Sequence, residues 1–173
     1  MQVNISAAAY SEKSILRKLM QYYLYEFSLS PEIEPDHKGQ FQYPYLDRYW
    51  IEPERFPYLV RVKRGLAGFV LLRRGTYFPQ QLINDQGGML VAEFFVMQAF
   101  RRRGVGSQAA LDLFAHFPGR WEIAQEADNY GGQDFWRKLI SDYCEGEFKE
   151  CVLDNDIWRG PVQVFDNSAF AAN

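Results

Sequence analysis

Arg101, Arg102 and Arg103 run directly into Gly104 and, one residue later, Gly106, and residues of these types at this spacing bind anions. Glycine lets a backbone come within hydrogen-bonding reach of a ligand, and the first N–H groups of a helix that begins there have no intrahelical acceptor. The helix dipole adds partial positive charge at that end, and three guanidinium groups add full charges around the turn. The run fits a phosphate cradle. Two familiar cradles do not fit. Gly104-x-Gly106-x-x-Ala109 has the loose form of a dinucleotide fingerprint, with Glu122 or Glu126 near the offset of a ribose-binding acid, yet too little chain follows Gly106 for the alternating strands and helices of that fold. A nucleoside-triphosphate loop needs Gly-Lys-Ser/Thr after the first glycine, and none follows here.

The flanking residues narrow the choice. Val96-x-x-x-x-Arg101-x-Arg103-Gly104-x-Gly106 resembles the acetyl-CoA signature of the GNAT superfamily of N-acetyltransferases: an apolar strand ending in Val, then Arg or Gln, two residues, Gly, one residue, Gly or Ala. A second block, Asn129 to Lys138, is similar to that superfamily's Asn-x-x-Ala-x-x-Phe-Tyr-x-Lys, with Gly132 in the Ala position and Trp136 in the Tyr position. The resemblance covers about Met89 to Tyr143. It implies an acetyl-CoA-dependent enzyme that acetylates a primary amine of a small molecule or protein. The alternative is a non-catalytic acyl-CoA-binding or regulatory protein of the same fold.

The resemblance also implies roles. The main chain at Phe95 and Val96 hydrogen-bonds the pantetheine amides, as a peptide adds to a sheet edge. The amides of Arg102, Arg103, Gly104, Val105, Gly106 and Ser107 hold the pyrophosphate, Arg101 fills the Arg/Gln position, and Asn129 reaches the coenzyme arm. Gln98 stands where many members carry Pro. The chemistry is aminolysis of a thioester, in which a base, directly or through water, takes a proton from the amine. Glu93, on the strand before the cradle, is the first candidate; Glu122 and Glu126 are weaker ones. Trp136 departs from the family's Tyr, and its indole N–H cannot protonate a leaving sulfur. A thiol pKa of about 8.5 makes departure as thiolate tolerable, so activity survives that loss. Tyr130 or Tyr143 could replace the acid, and Trp136 itself is expected along the pantetheine arm or in the core.

These groups need a frame. Val3 and Ile5 alternate with polar neighbours in a short first strand, and Ser11 is placed to cap a helix running to Phe27, with Leu16, Leu19, Met20, Tyr23 and Phe27 as its apolar stripe. From Ser28 to Pro57 five prolines exclude a long helix, though a short one fits Tyr45 to Glu52. Strands are predicted over Tyr58–Lys63 and Ala67–Arg73, joined by a tight turn at Arg64-Gly65, then over Met89–Met97 after a polar loop, Gly75–Gly88. A helix over Gly104–Phe117, a strand over Trp121–Gln125, a helix over Gly131–Tyr143 opened by Asn129, and a closing pair Glu147–Leu153 with Val162–Asp166 follow. The tail from Asn167 is expected to fray. The order gives an α+β fold: a mixed, mostly antiparallel central sheet flanked by helices, in one domain spanning residues 1–173. The resemblance adds that the fourth and fifth strands, Met89–Met97 and Trp121–Gln125, splay apart.

In this fold the acceptor cleft is walled by the segment after the first helix. Here that segment sets Phe41, Tyr43, Tyr45, Tyr49, Trp50, Phe56 and Tyr58 beside Glu32, Glu34, Asp36, Asp47, Glu52 and Glu54, a combination suited to a cationic amine. A net charge of −3 over 173 residues is not that of a nucleic-acid binder, and the apolar runs are too short to cross a membrane. Cys144 and Cys151 have no metal-type spacing and are expected to be free thiols in a reducing, cytoplasmic setting. His37 and His116 are isolated, no metal site is expected, and a homodimer is compatible with the sequence.

Overall fold

The computed structural model describes residues 2–28, 33–78 and 88–170. Its strands are β1 (Val3–Ala7), β2 (Arg55–Val62), β3 (Gly65–Gly75), β4 (Gly88–Val96), β5 (Arg120–Ala124), β6 (Lys149–Asp154) and β7 (Arg159–Asp166). The helices are α1 (Lys13–Phe27), α2 (Val105–His116) and α3 (Tyr130–Tyr143). One mixed sheet has the order β1-β2-β3-β4-β5-β7-β6. β1 with β2, β5 with β7 and β6 with β7 are antiparallel, while β4 and β5 are parallel. This is the expected α+β architecture. The register of β4 on β5 runs from Met89↔Trp121 to Val91↔Ile123, and β4 continues to Val96.

The chain forms two compact units, Met1–Leu71 with Glu93–Val105, and Leu72–Ala92 with Gly106–Asn173. The first buries Leu16, Leu19, Met20 and Leu24 of α1 with Leu59, Val60 and Phe69 of its strands. Tyr23 and Phe27, read as part of the same stripe, are only half-buried, and Tyr23 has another use described below. α1 is not capped by Ser11. A 3₁₀ turn, Tyr10–Glu12, precedes it, and the Glu12 carboxylate accepts the Ala9 N–H at 3.0 Å. The short helix expected in 45–52 is a 3₁₀ turn, Leu46–Trp50. The β2–β3 turn is Lys63-Arg64 rather than Arg64-Gly65: Lys63 takes the left-handed conformation at φ 56°, and Gly65 already belongs to β3.

In the second unit the Phe114 ring meets Trp121 at 4.8 Å and Tyr143 and Phe165 at 5.1 Å. The segment read as a polar loop starts by packing inward, because Tyr77 joins a buried cluster with Leu90 and Val162; residues 79–87 lie outside the described residues. At Asn167 the expectation of a frayed tail is overturned, while residues 171–173 lie outside the described residues. Asn167 is fully buried, its amide donating to the Phe114 carbonyl at 2.7 Å and accepting the Gly119 N–H at 2.7 Å. A buried side chain that satisfies two backbone groups cannot leave without orphaning both. Asn167→Ala is therefore expected to cost about 2–3 kcal/mol, read as a fall in Tm of roughly 4–12 °C. An unchanged Tm would mean that these bonds do not hold the chain end.

Candidate active site

β4 runs apolar through Gly88–Val91, turns half-buried at Ala92–Phe94 and buries Phe95 and Val96. Past Val96, a 3₁₀ turn at Gln98–Phe100 and a tight turn over 101–104 lead into α2. Strand and cradle thus form one continuous segment, as the sequence implied.

The cradle is built on two left-handed residues. Arg102 has φ 57° and Gly104 φ 79°. For arginine that conformation costs on the order of 1 kcal/mol, and for glycine nothing. A Cβ on Gly104 would meet nothing within 4 Å, so the backbone there is open to an incoming group. Arg102 and Arg103 are exposed, and the first N–H groups of α2, a helix of twelve residues, lack intrahelical acceptors. Cations, an open glycine and a helix start suit a pyrophosphate. Arg101 is employed differently. Its Nε donates to the Val96 carbonyl at 2.6 Å, and its Nη2 donates to both oxygens of the Glu26 carboxylate at 2.6 and 2.7 Å. Arg101 therefore fastens the end of β4 to α1, while Arg102 and Arg103 stay exposed.

Glu93 is the chemically distinctive group of β4. Its Oε1 accepts from the Tyr43 hydroxyl at 2.8 Å, and its Oε2 accepts a short hydrogen bond from the Tyr23 hydroxyl. Burial first, and then the Glu93 charge, push the Tyr43 phenol far above its ordinary range, so Tyr43 stays a donor wherever the protein works. Sequence reasoning placed Tyr43 on the cleft wall and Tyr23 in the core stripe. Neither position signalled that both hydroxyls meet one carboxylate.

The other carboxylates read as candidate bases are placed differently. Glu122 is fully buried and accepts from Thr76, from the Tyr77 N–H at 2.7 Å and from Arg120 at 2.9 Å. It holds the start of the segment after β3 against β5. Glu126 is exposed beyond β5. Among the replacement acids, Tyr130 is exposed, and Tyr143 packs its ring on Phe114, Phe165 and Phe170.

Asn129 opens α3 as expected. Its Oδ1 accepts the Gly132 N–H at 3.0 Å, and a Cβ at Gly132 would lie 2.7 Å from the Asn129 side chain. Glycine in the family's Ala position thus makes room for the cap. Trp136 is 5% exposed, on the α3 face that also buries Gln133, Leu139 and Ile140, with its ring edge-on to Phe135 at 4.9 Å.

A cleft of about 500 Å³ lies between α1 and the segment after it, lined by Arg17, Lys18, Gln40, Phe41, Tyr43 and Asp47 among others. Its acidic lining residue, Asp47, is ion-paired with Lys13 at 2.9 Å and Arg17 at 3.2 Å. Lys13 and Arg17 hold the Asp47 carboxyl below the ordinary range, Arg55 does the same for Glu52, and the Gln40 and Lys38 N–H groups do so for Asp36. Glu32 lies outside the described residues. Asp47 and Glu52 are therefore balanced by neighbouring cations, whereas Asp36, held by N–H groups, keeps its charge. Among the described residues no His, Cys, Asp and Glu cluster could hold a metal, and no helix is long and apolar enough to cross a membrane. Cys144 is buried and Cys151 exposed, both free.

A family model described as acetyltransferase (GNAT) family matches residues 16–140. Among solved structures, the chain is similar to an acetyltransferase from Thermus thermophilus, with a TM-score of 0.63, 14% identity, and 96% of this chain and 97% of that chain covered. It is also similar to the paia N-acetyltransferase from Thermoplasma acidophilum in complex with coenzyme A, at TM-score 0.59, 10% identity and coverage of 96% and 99%. A third, an aminoglycoside antibiotic 6'-N-acetyltransferase from Acinetobacter baumannii, has TM-score 0.57, 14% identity and coverage of 80% and 89%. Curated proteins give no match.

Proposed function

Since the chain belongs to the GNAT acetyltransferase family, whose acyl donor is acetyl-CoA, we propose that it transfers the acetyl group to a primary amine of a small molecule or protein, with Glu93 as proton acceptor. The observation that carries the reading is the Glu93 carboxylate, held by two phenols on the strand that leads into the cradle. When bound, the coenzyme supplies an activated acetyl thioester. The chain's own residues do the rest. The open backbone at Gly104, the N–H groups from Arg102 to Ser107 and the Arg102 and Arg103 guanidinium groups bind the pyrophosphate. Main-chain groups of Phe95 and Val96 orient the pantetheine arm. Glu93 takes the amine proton on Oε1 or Oε2, directly or through one water.

Steady-state thiol release from acetyl-CoA should be followed with lysine, spermidine, kanamycin and an alanine-initiated peptide as acceptors. Turnover with at least one is expected. Coenzyme binding without thiol release on any of them would instead favour the non-catalytic acyl-CoA-binding reading, to which the missing family Tyr at Trp136 lends itself.

The burial of Trp136 supports a packing role. Trp136→Tyr is expected to cost about 1–3 kcal/mol of stability, with no gain in thiol-release rate. A variant that turns over faster than wild type would mean instead that the leaving group lacked only an acid at that position.

A further inference from the structure

We propose that Gln21 is a positioning residue: its side-chain amide locks Phe41, and through the locked segment sets the Tyr43 hydroxyl on Glu93. The inference rests on Glu93 being the proton acceptor.

The two phenols that hold Glu93 are fixed in different ways. Tyr23 stands on α1, and its ring packs on Phe27 at 4.8 Å, Phe69 at 5.7 Å and Phe95 at 6.0 Å. Helix and rings define its position. Tyr43 belongs to an irregular stretch that leads into the 3₁₀ turn Leu46–Trp50, and such stretches are by default the more mobile parts of a fold. Here the segment is tied at two points upstream of the tyrosine. Asp36 gathers the Lys38 and Gln40 N–H groups on Oδ1, at 2.8 and 3.0 Å, and the Gln42 amide on Oδ2 at 2.6 Å. This closes a compact turn but gives it no fixed place against the helix.

Downstream of Tyr43, Asp47 meets Lys13 and Arg17 of α1 at 2.9 and 3.2 Å; upstream of it, Gln21 supplies the attachment. Its Nε2 donates to the Phe41 carbonyl at 2.9 Å, and its Oε1 accepts the Phe41 N–H at 2.8 Å. One side chain therefore satisfies both backbone groups of a single residue, the pattern a neighbouring strand would provide, offered instead from a helix. Two such bonds on one residue fix the peptide planes on either side of it. Tyr43 follows two residues later, and its hydroxyl reaches Oε1 of Glu93 at 2.8 Å. Glu93 itself is then held from both sides, with Tyr23 on Oε2. Positioned groups lose rate steeply on small displacements, so loosening Phe41 should be felt at Glu93.

The test compares wild type with Gln21→Ala, Tyr43→Phe, the double variant and Glu93→Gln, using acetyl-CoA and the best acceptor of the four amines above. Gln21→Ala and Tyr43→Phe should each lower kcat about tenfold, with KM for acetyl-CoA unchanged. The double variant should be no slower than the worse single, because both remove one device. Hydrogen exchange, measured without coenzyme, should show residues 36–43 exchanging faster in Gln21→Ala. Gln21→Glu, which keeps an acceptor for the Phe41 N–H and loses the donor, should show smaller effects in both measurements. Additive losses in the double variant, or unchanged exchange at 36–43 in Gln21→Ala, would overturn the inference. If Glu93→Gln is impaired while Gln21→Ala is not, the inference fails alone. If Glu93→Gln turns over like wild type, or no amine is acetylated, the reading it rests on fails and takes it along.

Discussion

Glu93→Gln is expected to lower amine turnover by on the order of 10²–10⁴-fold near neutral pH, while acetyl-CoA affinity stays at the wild-type value. The substitution keeps the size and shape of the side chain. The amide oxygen can still accept from one phenol, and the new NH₂ can donate to the hydroxyl oxygen of the other, so Tyr23 and Tyr43 need not move far. Only the capacity to take a proton is lost. The deficit should be largest at low pH and shrink as pH rises, because alkylamines have pKa values of about 10.4 and a growing share arrives already deprotonated. The measurement is kcat/KM for the amine from about pH 6.5 to 9.5, with both proteins on one acceptor. A mutant-to-wild-type ratio that stays flat across that range would remove the base role from Glu93 and leave water or Glu126 to be tested.

Gly104→Asp should weaken acetyl-CoA binding by about 100-fold or more, since it sets a carboxylate where a pyrophosphate must lie and two like charges about 4 Å apart repel by several kcal/mol in a partly shielded site. The structure makes this a clean experiment. A Cβ at Gly104 meets no protein atom within 4 Å, so the fold has room for the side chain. Aspartate also tolerates the left-handed conformation, φ 79° here, better than most residues. Gly104→Ala, which adds bulk without charge, should fall between. Calorimetry with acetyl-CoA, on protein whose Tm is within a few degrees of wild type, reads the effect. Equal affinity in wild type and Gly104→Asp would mean that the turn before α2 does not hold the coenzyme. Arg101→Ala should weaken binding less, because its guanidinium is engaged by Glu26 and Val96 and acts on the cradle through the end of β4.

Where a feature depends on residues close together in the chain, the sequence by itself determined it. Glycine at 104, three preceding arginines, an apolar run before them and an amphipathic run after them dictate a strand, a turn and a helix start, because backbone freedom, helix-end N–H groups and side-chain periodicity are local properties. The Asn129 cap is equally local, spanning three residues. Tertiary structure alone decided what faces Glu93. Tyr23 and Tyr43 lie 70 and 50 positions before it, and an apolar stripe on α1 gives no sign that one of its members turns a hydroxyl to a strand carboxylate. Glu122 and Glu93 look alike as strand glutamates, yet one is buried against Arg120 and the other half-buried between phenols. Asn167 looked like the start of a tail until its amide proved to close two backbone groups more than forty residues away. In each case the deciding quantity is which polar groups a buried donor or acceptor finds as partners. That is set by how distant segments pack, because a buried polar group left unmatched costs more than the local chain can recover.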